Sequence, residues 1–357
     1  MTIIIAEVGV NHNGDVNLAI ELIDAAKKCG ADIVKFQTFN SSDLVNQSAK
    51  KADYQVKNTK SKESQLNMLQ SLELSFDKFF TLSEYCKKLN IEFLSTAFDF
   101  DSLDFIVNKL NVNRLKIPSG ELTNLPFVLK HAQTGLDLIV STGMANLAEI
   151  EVALSVIAYG YTAHKNSIPC RNEFDRAYSS VEGQAALREK VTLLHCTTEY
   201  PAPVHEINLN AINTLRQSFK TAVGYSDHSK GVTIPTAAVA LGAKIIEKHL
   251  TLDVNMDGPD HKASLEPCEF TNMVEGIREI ERAMGNGIKQ PFPSEIKNKI
   301  AARKSLIAKL PIKVGESFSQ ENITTMRPGS GMSPAFYWDV LKKKSSKSYQ
   351  PGDLIDE

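Results

Sequence analysis

The chain has 357 residues, with 40 Lys plus Arg against 42 Asp plus Glu and a formal net charge of −2. That balance supplies no global attraction to nucleic acid or to an anionic membrane. A content of 42% hydrophobic and 23% charged residues excludes a disordered chain.

Apolar runs such as Val152–Tyr159 and Ile234–Ala243 fall short of the ~20 residues that a bilayer span needs, so no membrane partner is expected. The N-terminus MTIIIAEVGV has no basic region and meets Glu7 early. It reads as a core strand, not a signal peptide. The five cysteines (Cys29, Cys86, Cys170, Cys196, Cys268) have no C-x-x-C spacing, which disfavours a disulfide framework or a zinc knuckle. A cytoplasmic enzyme is expected.

β-rich runs alternate with helical periodicity along the chain. Thr2–Val10 reads as a strand, and the stripe of Leu18, Leu22, Ile23 and Ala26 predicts a helix over Asn17–Ala31. Strand Asp32–Phe39 and helix Phe76–Asn90 follow, then strand Ile91–Asp99 with helix Ser102–Leu110. Next come Arg114–Glu121 with Leu125–Gln133, Asp137–Met144 with Leu147–Tyr159, and Val191–Thr198 with Leu209–Phe219. Thr221–Ser229 with Val232–Gly242 and Lys244–Leu252 with Glu269–Met284 complete eight units. Eight β/α repeats within residues 1–285 predict an α/β fold of the (β/α)8 TIM-barrel type. A doubly wound open sheet is the competitor, but no unit opens with G-x-G-x-x-G.

Polar residues recur at the strand ends: Glu7; Lys35 and Gln37; Ser95 and Thr96; Lys116, Ser119 and Glu121; Ser141 and Thr142; Thr197 and Thr198; Ser226 and His228; Glu247 and His249. A barrel builds its active site at that rim; plain solvation explains one or two such clusters better than eight. The connection Asn40–Ser75 follows a strand and lies on the rim, either as a lid carrying Lys50, Lys51, Lys57, Lys60 and Lys62 or as a solvated loop with a helix around Glu63–Leu72. The insertion Tyr161–Lys190 precedes a strand and belongs to the opposite face. The break at Gln290–Ser294 marks a linker over residues 286–300. Beyond it, residues 301–357 form a small β-rich domain with strands Ser305–Ala308, Ile323–Met326 and Asp353–Ile355 and a helix near Phe336–Leu341.

His228 and His249 end consecutive strands. With Glu7 or Asp260 nearby they suit a divalent ion such as Mn²⁺ with open positions, although core histidines satisfied by hydrogen bonds are commoner. His12 also lies at a strand end, and His195 reads as structural. Lys35 and Lys116 with Thr96, Ser119, Ser141 and Ser226 can hold a phosphate and a carboxylate together. A Schiff base on Lys35, Lys116 or Lys248 is the rival chemistry. Glu7, Glu121, Glu247 and Asp260 supply carboxylates for sugar hydroxyls or acid–base work. Arg327 stands in the turn RPGSG, where a surface arginine without a role is the ordinary reading.

These segments carry a resemblance. AEVGVNHNG, VKFQTF, LSTAFD, KIPSGE, STGM, LHCTTEYPAP, GYSDHS, IEKHLTLDVNMDGPDHKASLEP and RPGSGMSP, in this order across the whole chain, resemble the sialic acid synthase (NeuB-type) family. The resemblance implies a TIM barrel followed by a small antifreeze-like (SAF) domain. It implies condensation of phosphoenolpyruvate with an N-acetylated amino sugar, either N-acetylmannosamine or the 6-deoxy 2,4-diacetamido analogue that gives legionaminate. The metal, usually Mn²⁺ with Mg²⁺ or Co²⁺ as alternatives, falls to His228 and His249. Phosphoenolpyruvate falls to Lys35, Lys116, Thr96, Ser119 and Ser226. Glu7, Gln37, Glu121, Tyr200, Glu247 and Asp260 fall around the sugar or the reacting water, with Glu7 and Glu121 as the activating carboxylates. The family also implies a domain-swapped homodimer in which Arg327 reaches the sugar held by the partner chain. Two positions depart from the pattern: Ala97 stands where Pro is frequent, and Thr198 where several members carry Asn. A Schiff-base aldolase and a non-catalytic sugar-binding barrel remain the alternatives.

Overall fold

The computed structural model describes residues 1–59, 63–163 and 167–357; Lys60 and Lys62 of the expected lid lie outside them. The chain forms two compact units, Met1–Gly285 and Asn286–Glu357. In the first, β1 (Ile3–Gly9), β2 (Ile33–Thr38), β3 (Glu92–Ala97), β4 (Arg114–Ile117), β5 (Asp137–Ser141), β6 (Val191–Cys196), β7 (Ala222–Asp227) and β8 (Ile245–His249) close a barrel in sequence order. All neighbours are parallel, and β8 pairs with β1.

Strand periodicity sorts the side chains. Ile5, Ile33, Leu94, Ile139, Leu194 and Ile245 form an apolar cluster inside the barrel. Two residues further along each of these strands, on the same face, stand Glu7, Lys35, Thr96, Ser141, Cys196 and Glu247. The opposite parity, including Ala6, Phe36, Leu115, Val140 and Ile246, packs in the larger core with helix residues such as Leu22, Leu82 and Phe270. Lys248 falls on that second parity. It is fully buried, its Nζ pairs with Asp227 Oδ2 at 2.6 Å and it donates to the Ser229 carbonyl. The sequence places it at the rim with Lys35 and Lys116, but strand alternation turns it away from the barrel interior.

Gly224 completes the apolar layer by what it lacks. A Cβ there would lie 2.6 Å from both the Ile245 carbonyl oxygen and Leu194 Cδ2. Gly224→Ala is expected to destabilise the fold by about 1–3 kcal/mol through overpacking. An unchanged denaturation midpoint would contradict that packing.

Helices follow the strands close to their expected bounds, with informative differences. The helix expected over 102–110 starts at Phe100, because Asp99 accepts from the Ser102 N–H at 2.6 Å. It ends as a π-turn over Ile106–Leu110. Ser119–Glu121, read as the end of the fourth strand, is instead a 3₁₀ turn behind Pro118, which has no N–H to continue the ladder. The rim connection after β2 contains helices Ser41–Leu44, Asp53–Thr59 and Gln65–Leu72. The later insertion forms helices Arg171–Ser179 and Val181–Lys190, with Phe174 edge-on to Tyr159.

In the second unit β9 (Ser305–Ala308) pairs antiparallel with β10 (Ile323–Met326) over a core of Leu306, Ile312, Phe318, Val340, Tyr349 and Ile355. Two expectations are corrected here. Asp353–Ile355 contributes a single bridge, Leu354 to Ile307, instead of a strand. The stretch read as a linker over residues 286–300 overlaps the helix Pro293–Ala302. Pro293 suits its first turn, and the Glu295 carboxylate accepts from the Phe292 N–H at 3.0 Å. Among the described residues no helix is long and apolar enough to cross a membrane, and the five cysteines are free thiols.

Candidate active site

Backbone register brings the chemistry into rows. Glu7 lies between Lys35 and His249, Thr96 between Gln37 and Lys116, and Ser226 between Cys196 and Glu247. These residues face a cavity of about 320 Å³ at the C-terminal ends of the strands. Glu7, Lys35, Gln37, Thr96, Lys116, Ser119, Glu121, Tyr200, Ser226, His228, Glu247, His249 and Asp260 all line it. Arg327 belongs to the second unit, where its Nε donates to the Ala302 carbonyl at 3.0 Å.

Charges in the cavity are buried and paired. Lys35 forms an ion pair with Glu7, lies 3.8 Å from Glu247 Oε2 and donates to Thr96 Oγ1 at 3.3 Å. Gln37 donates to the other Glu7 oxygen at 3.1 Å. Lys116 donates to Ser141 Oγ at 2.7 Å and stands 3.5 Å from Glu247 Oε1, which also accepts from Ser226 at 2.8 Å. Burial opposes the charge on Lys35, but Glu247 and Glu7 outweigh it and raise its pKa. Burial lowers Lys116, partly offset by Glu247. It raises Glu7 despite Lys35, and pushes Asp260 up to about 7 with help from the Glu7 charge. Burial also opposes ionisation of Glu247, but Lys116 and Lys35 prevail and pull it down to about 2.

The histidines occupy the sector of β7 and β8. The ring centroids of His228 and His249 are 5.6 Å apart, with Tyr200 packed 4.1 Å from His228. Burial pushes His228 down to about 4 and His249 well below its ordinary value, the latter helped by His228, so both rings are neutral at pH 7. Nδ1 of His228 donates to the Thr197 carbonyl at 2.6 Å, leaving Nε2 with its lone pair. Nδ1 of His249 is buried without a hydrogen-bond partner, 3.9 Å from Asp260 Oδ2. Among the described residues no group of three or more His, Cys, Asp or Glu side chains forms a ligand set. A divalent ion would therefore take two imidazoles and keep positions for water or substrate, and two neutral rings, that of His228 oriented by the Thr197 carbonyl, fit that role.

The NeuB family profile matches residues 22–289. The N,N'-diacetyllegionaminic acid synthase of Campylobacter jejuni is 51% identical over 100% of this chain and 99% of its own length. The chain belongs to the NeuB family. The enzyme of the same name from Legionella pneumophila is 42% identical over 99% of this chain and 92% of its own. The crystal structure of N-acetylneuraminic acid synthetase from Leptospira borgpetersenii, in complex with citrate, aligns with a TM-score of 0.67 at 34% identity, covering 83% of this chain and 90% of that one.

Not every lining residue of this NeuB-family chain stands out in its sequence. Tyr54, Gln55 and Gln65 reach the cavity from the rim connection, and Tyr54 lies 4.9 Å from the Tyr200 ring. Cys196 lines the cavity with its Sγ 3.3 Å from Ser119 Oγ. Its parity with Ser141 and Glu247 is the available signal. Thr198 also lines the cavity, its buried hydroxyl unpaired, whereas Ala97 is buried and does not reach it. His12 is buried away from the cavity and its Nδ1 accepts from the Gly14 N–H, while His195 Nε2 bonds the Ile207 carbonyl at 2.6 Å.

Proposed function

We propose that this chain is a nonulosonic acid synthase that condenses phosphoenolpyruvate with 2,4-diacetamido-2,4,6-trideoxymannose to give N,N'-diacetyllegionaminate and phosphate. The observation that carries this reading is one cavity holding two buried lysines, two neutral histidines and a set of carboxylates. It occurs in a chain 51% identical, end to end, to a protein named for that product. N-acetylmannosamine, giving N-acetylneuraminate, is the second acceptor reading, supported by the Leptospira structure.

Lys35 and Lys116, with Thr96, Ser119, Ser141 and Ser226, bind the phosphate and carboxylate of phosphoenolpyruvate. Two point charges ringed by hydroxyls suit a small dianionic head. A divalent ion held by His228 and His249 would supply Lewis-acid polarisation of the sugar aldehyde. C3 of phosphoenolpyruvate forms a bond to the aldehyde carbon, and the aldehyde oxygen takes up a proton. Water adds at C2 and loses a proton; the bond from C2 to the bridging oxygen then breaks, phosphate leaves with the remaining hydroxyl proton and a ketone remains. Glu7, oriented by Gln37 and Lys35, and Glu121, held by Asn124 at 2.7 Å, are the carboxylates assigned to these proton transfers. Gln37, Tyr200, Glu247 and Asp260 surround the sugar and the water.

The second unit is read as an SAF domain that brings Arg327 to the sugar of a partner chain in a swapped homodimer, and the enzyme as cytoplasmic. Phosphate release that requires the amino sugar supports the function. A borohydride-stable adduct on Lys35 or Lys116 would replace it with the Schiff-base reading.

A further inference from the structure

One side of the cavity does not match the rest. Around most of the rim the lining is ionic or hydroxylic, but past the ends of β1, β2 and β3, beyond Glu7, Lys35, Gln37 and Thr96, it turns apolar. Val10 follows β1, Phe39 follows β2 and Phe98 follows β3. Helix Gln65–Leu72 adds Met68, Leu69 and Leu72. With Leu44 these six side chains form a separate hydrophobic cluster apart from the barrel cores. The helix contributes through one stripe, because Gln65, Met68, Leu69 and Leu72 recur at i, i+3, i+4 and i+7.

This wall is held in place. Gly14, at φ +75°, lies so close to the helix that a Cβ there would stand 2.6 Å from the Ser71 carbonyl oxygen. The Glu73 carboxylate, just past the helix, accepts from the Ser41 N–H at 2.9 Å. An apolar surface fixed inside a charged cavity is costly to leave facing water, and it rejects hydroxyl groups that would lose hydrogen bonds there.

From this placement we infer that the Met68–Leu69–Leu72 wall is the specificity determinant for the acceptor, selecting a 6-deoxy sugar with a second acetamido group. The inference rests on the synthase reading and adds the part of the sugar that is recognised. The aldehyde end belongs beside His228, just after β7, and His249 on β8, the strand that pairs with β1 in the closed barrel. The distal end, with the C6 methyl and the C4 acetamido methyl, then lies against the wall on β1–β3. N-acetylmannosamine would place hydroxyls there instead. A methyl-for-hydroxyl difference in an apolar pocket discriminates by about a hundredfold.

The test measures kcat/KM for both sugars at saturating phosphoenolpyruvate and Mn²⁺, in wild type, Met68→Gln, Leu72→Asn and the milder Leu69→Gln at a part-exposed position. Wild type is expected to prefer the diacetamido sugar by at least tenfold. Each variant is expected to reduce that ratio several-fold or more, mainly through the KM of the diacetamido sugar, with KM for phosphoenolpyruvate unchanged within twofold. If wild type uses both sugars equally, or Leu69→Gln keeps its thermal midpoint and the wild-type ratio, the wall does not select the acceptor and the inference fails while the synthase reading stands. If wild type consumes phosphoenolpyruvate with neither sugar, the synthase reading itself fails.

Discussion

Substituting His228 with alanine is expected to lower phosphate release from phosphoenolpyruvate by at least about a thousandfold while the protein stays folded. The first part follows from the aldehyde losing its electrophilic activation, worth several kcal/mol. The second follows from what the ring does in the fold. It makes two hydrogen bonds, at 2.6 Å to the Thr197 carbonyl and at 3.5 Å with Ser226 Oγ, and its ring lies tilted against Tyr200. Losing these bonds costs about 1–3 kcal/mol. Calorimetric titration with Mn²⁺ separates the two effects: wild type binds the ion, and His228→Ala binds it far more weakly while its unfolding midpoint falls by only several degrees and stays above the assay temperature. Chelation of wild type is expected to reproduce the loss, with recovery on adding Mn²⁺. Near-wild-type turnover by His228→Ala would remove the histidine pair from the chemistry.

Lys35→Met is expected to cost about 3–5 kcal/mol of stability as well as activity. Lys35 is the cation that Glu7 and Glu247 share, and all three are buried. Removing it leaves Glu7 without its ion-pair partner, the situation in which breaking a buried pair is most destabilising. Glu247 keeps Lys116 at 3.5 Å, so the main strain falls on Glu7. The double variant Lys35→Met/Glu7→Gln is therefore expected to regain much of the lost stability yet remain inactive, because the phosphate has lost a lysine. Denaturant unfolding and the phosphate assay together check this. A single variant as stable as wild type, or a double variant no better than the single, would contradict the pairing.

Much of this architecture is legible in the sequence, for a specific reason. In a closed barrel the interior alternates strictly, so a polar residue two places beyond Ile5, Ile33, Leu94, Ile139 or Ile245 has to face the rim. Glu7, Lys35, Thr96, Ser141 and Glu247 follow that rule. Lys248 shows its limit: proximity to the rim in sequence says nothing when parity is opposite, and the buried pair with Asp227 occupies it. Local chain chemistry hides other features. Pro118 ends β4 early and puts Ser119 and Glu121 on a turn that still reaches the cavity. The apolar wall is the least legible part, because the stripe on Gln65–Leu72 reads equally as packing against any neighbour. The close approach of Gly14 to Ser71 and the bond from the Ser41 N–H to Glu73 show where the helix docks.

The reaction itself is the most direct test of the account. Phosphoenolpyruvate carrying oxygen-18 in the bridging position would be incubated with the protein, Mn²⁺ and 2,4-diacetamido-2,4,6-trideoxymannose, and phosphate and keto sugar acid followed by mass spectrometry. One phosphate per sugar acid is expected, with the label in the phosphate because the C2–O bond breaks. No consumption of phosphoenolpyruvate with either amino sugar, or consumption that does not need a sugar, would contradict it.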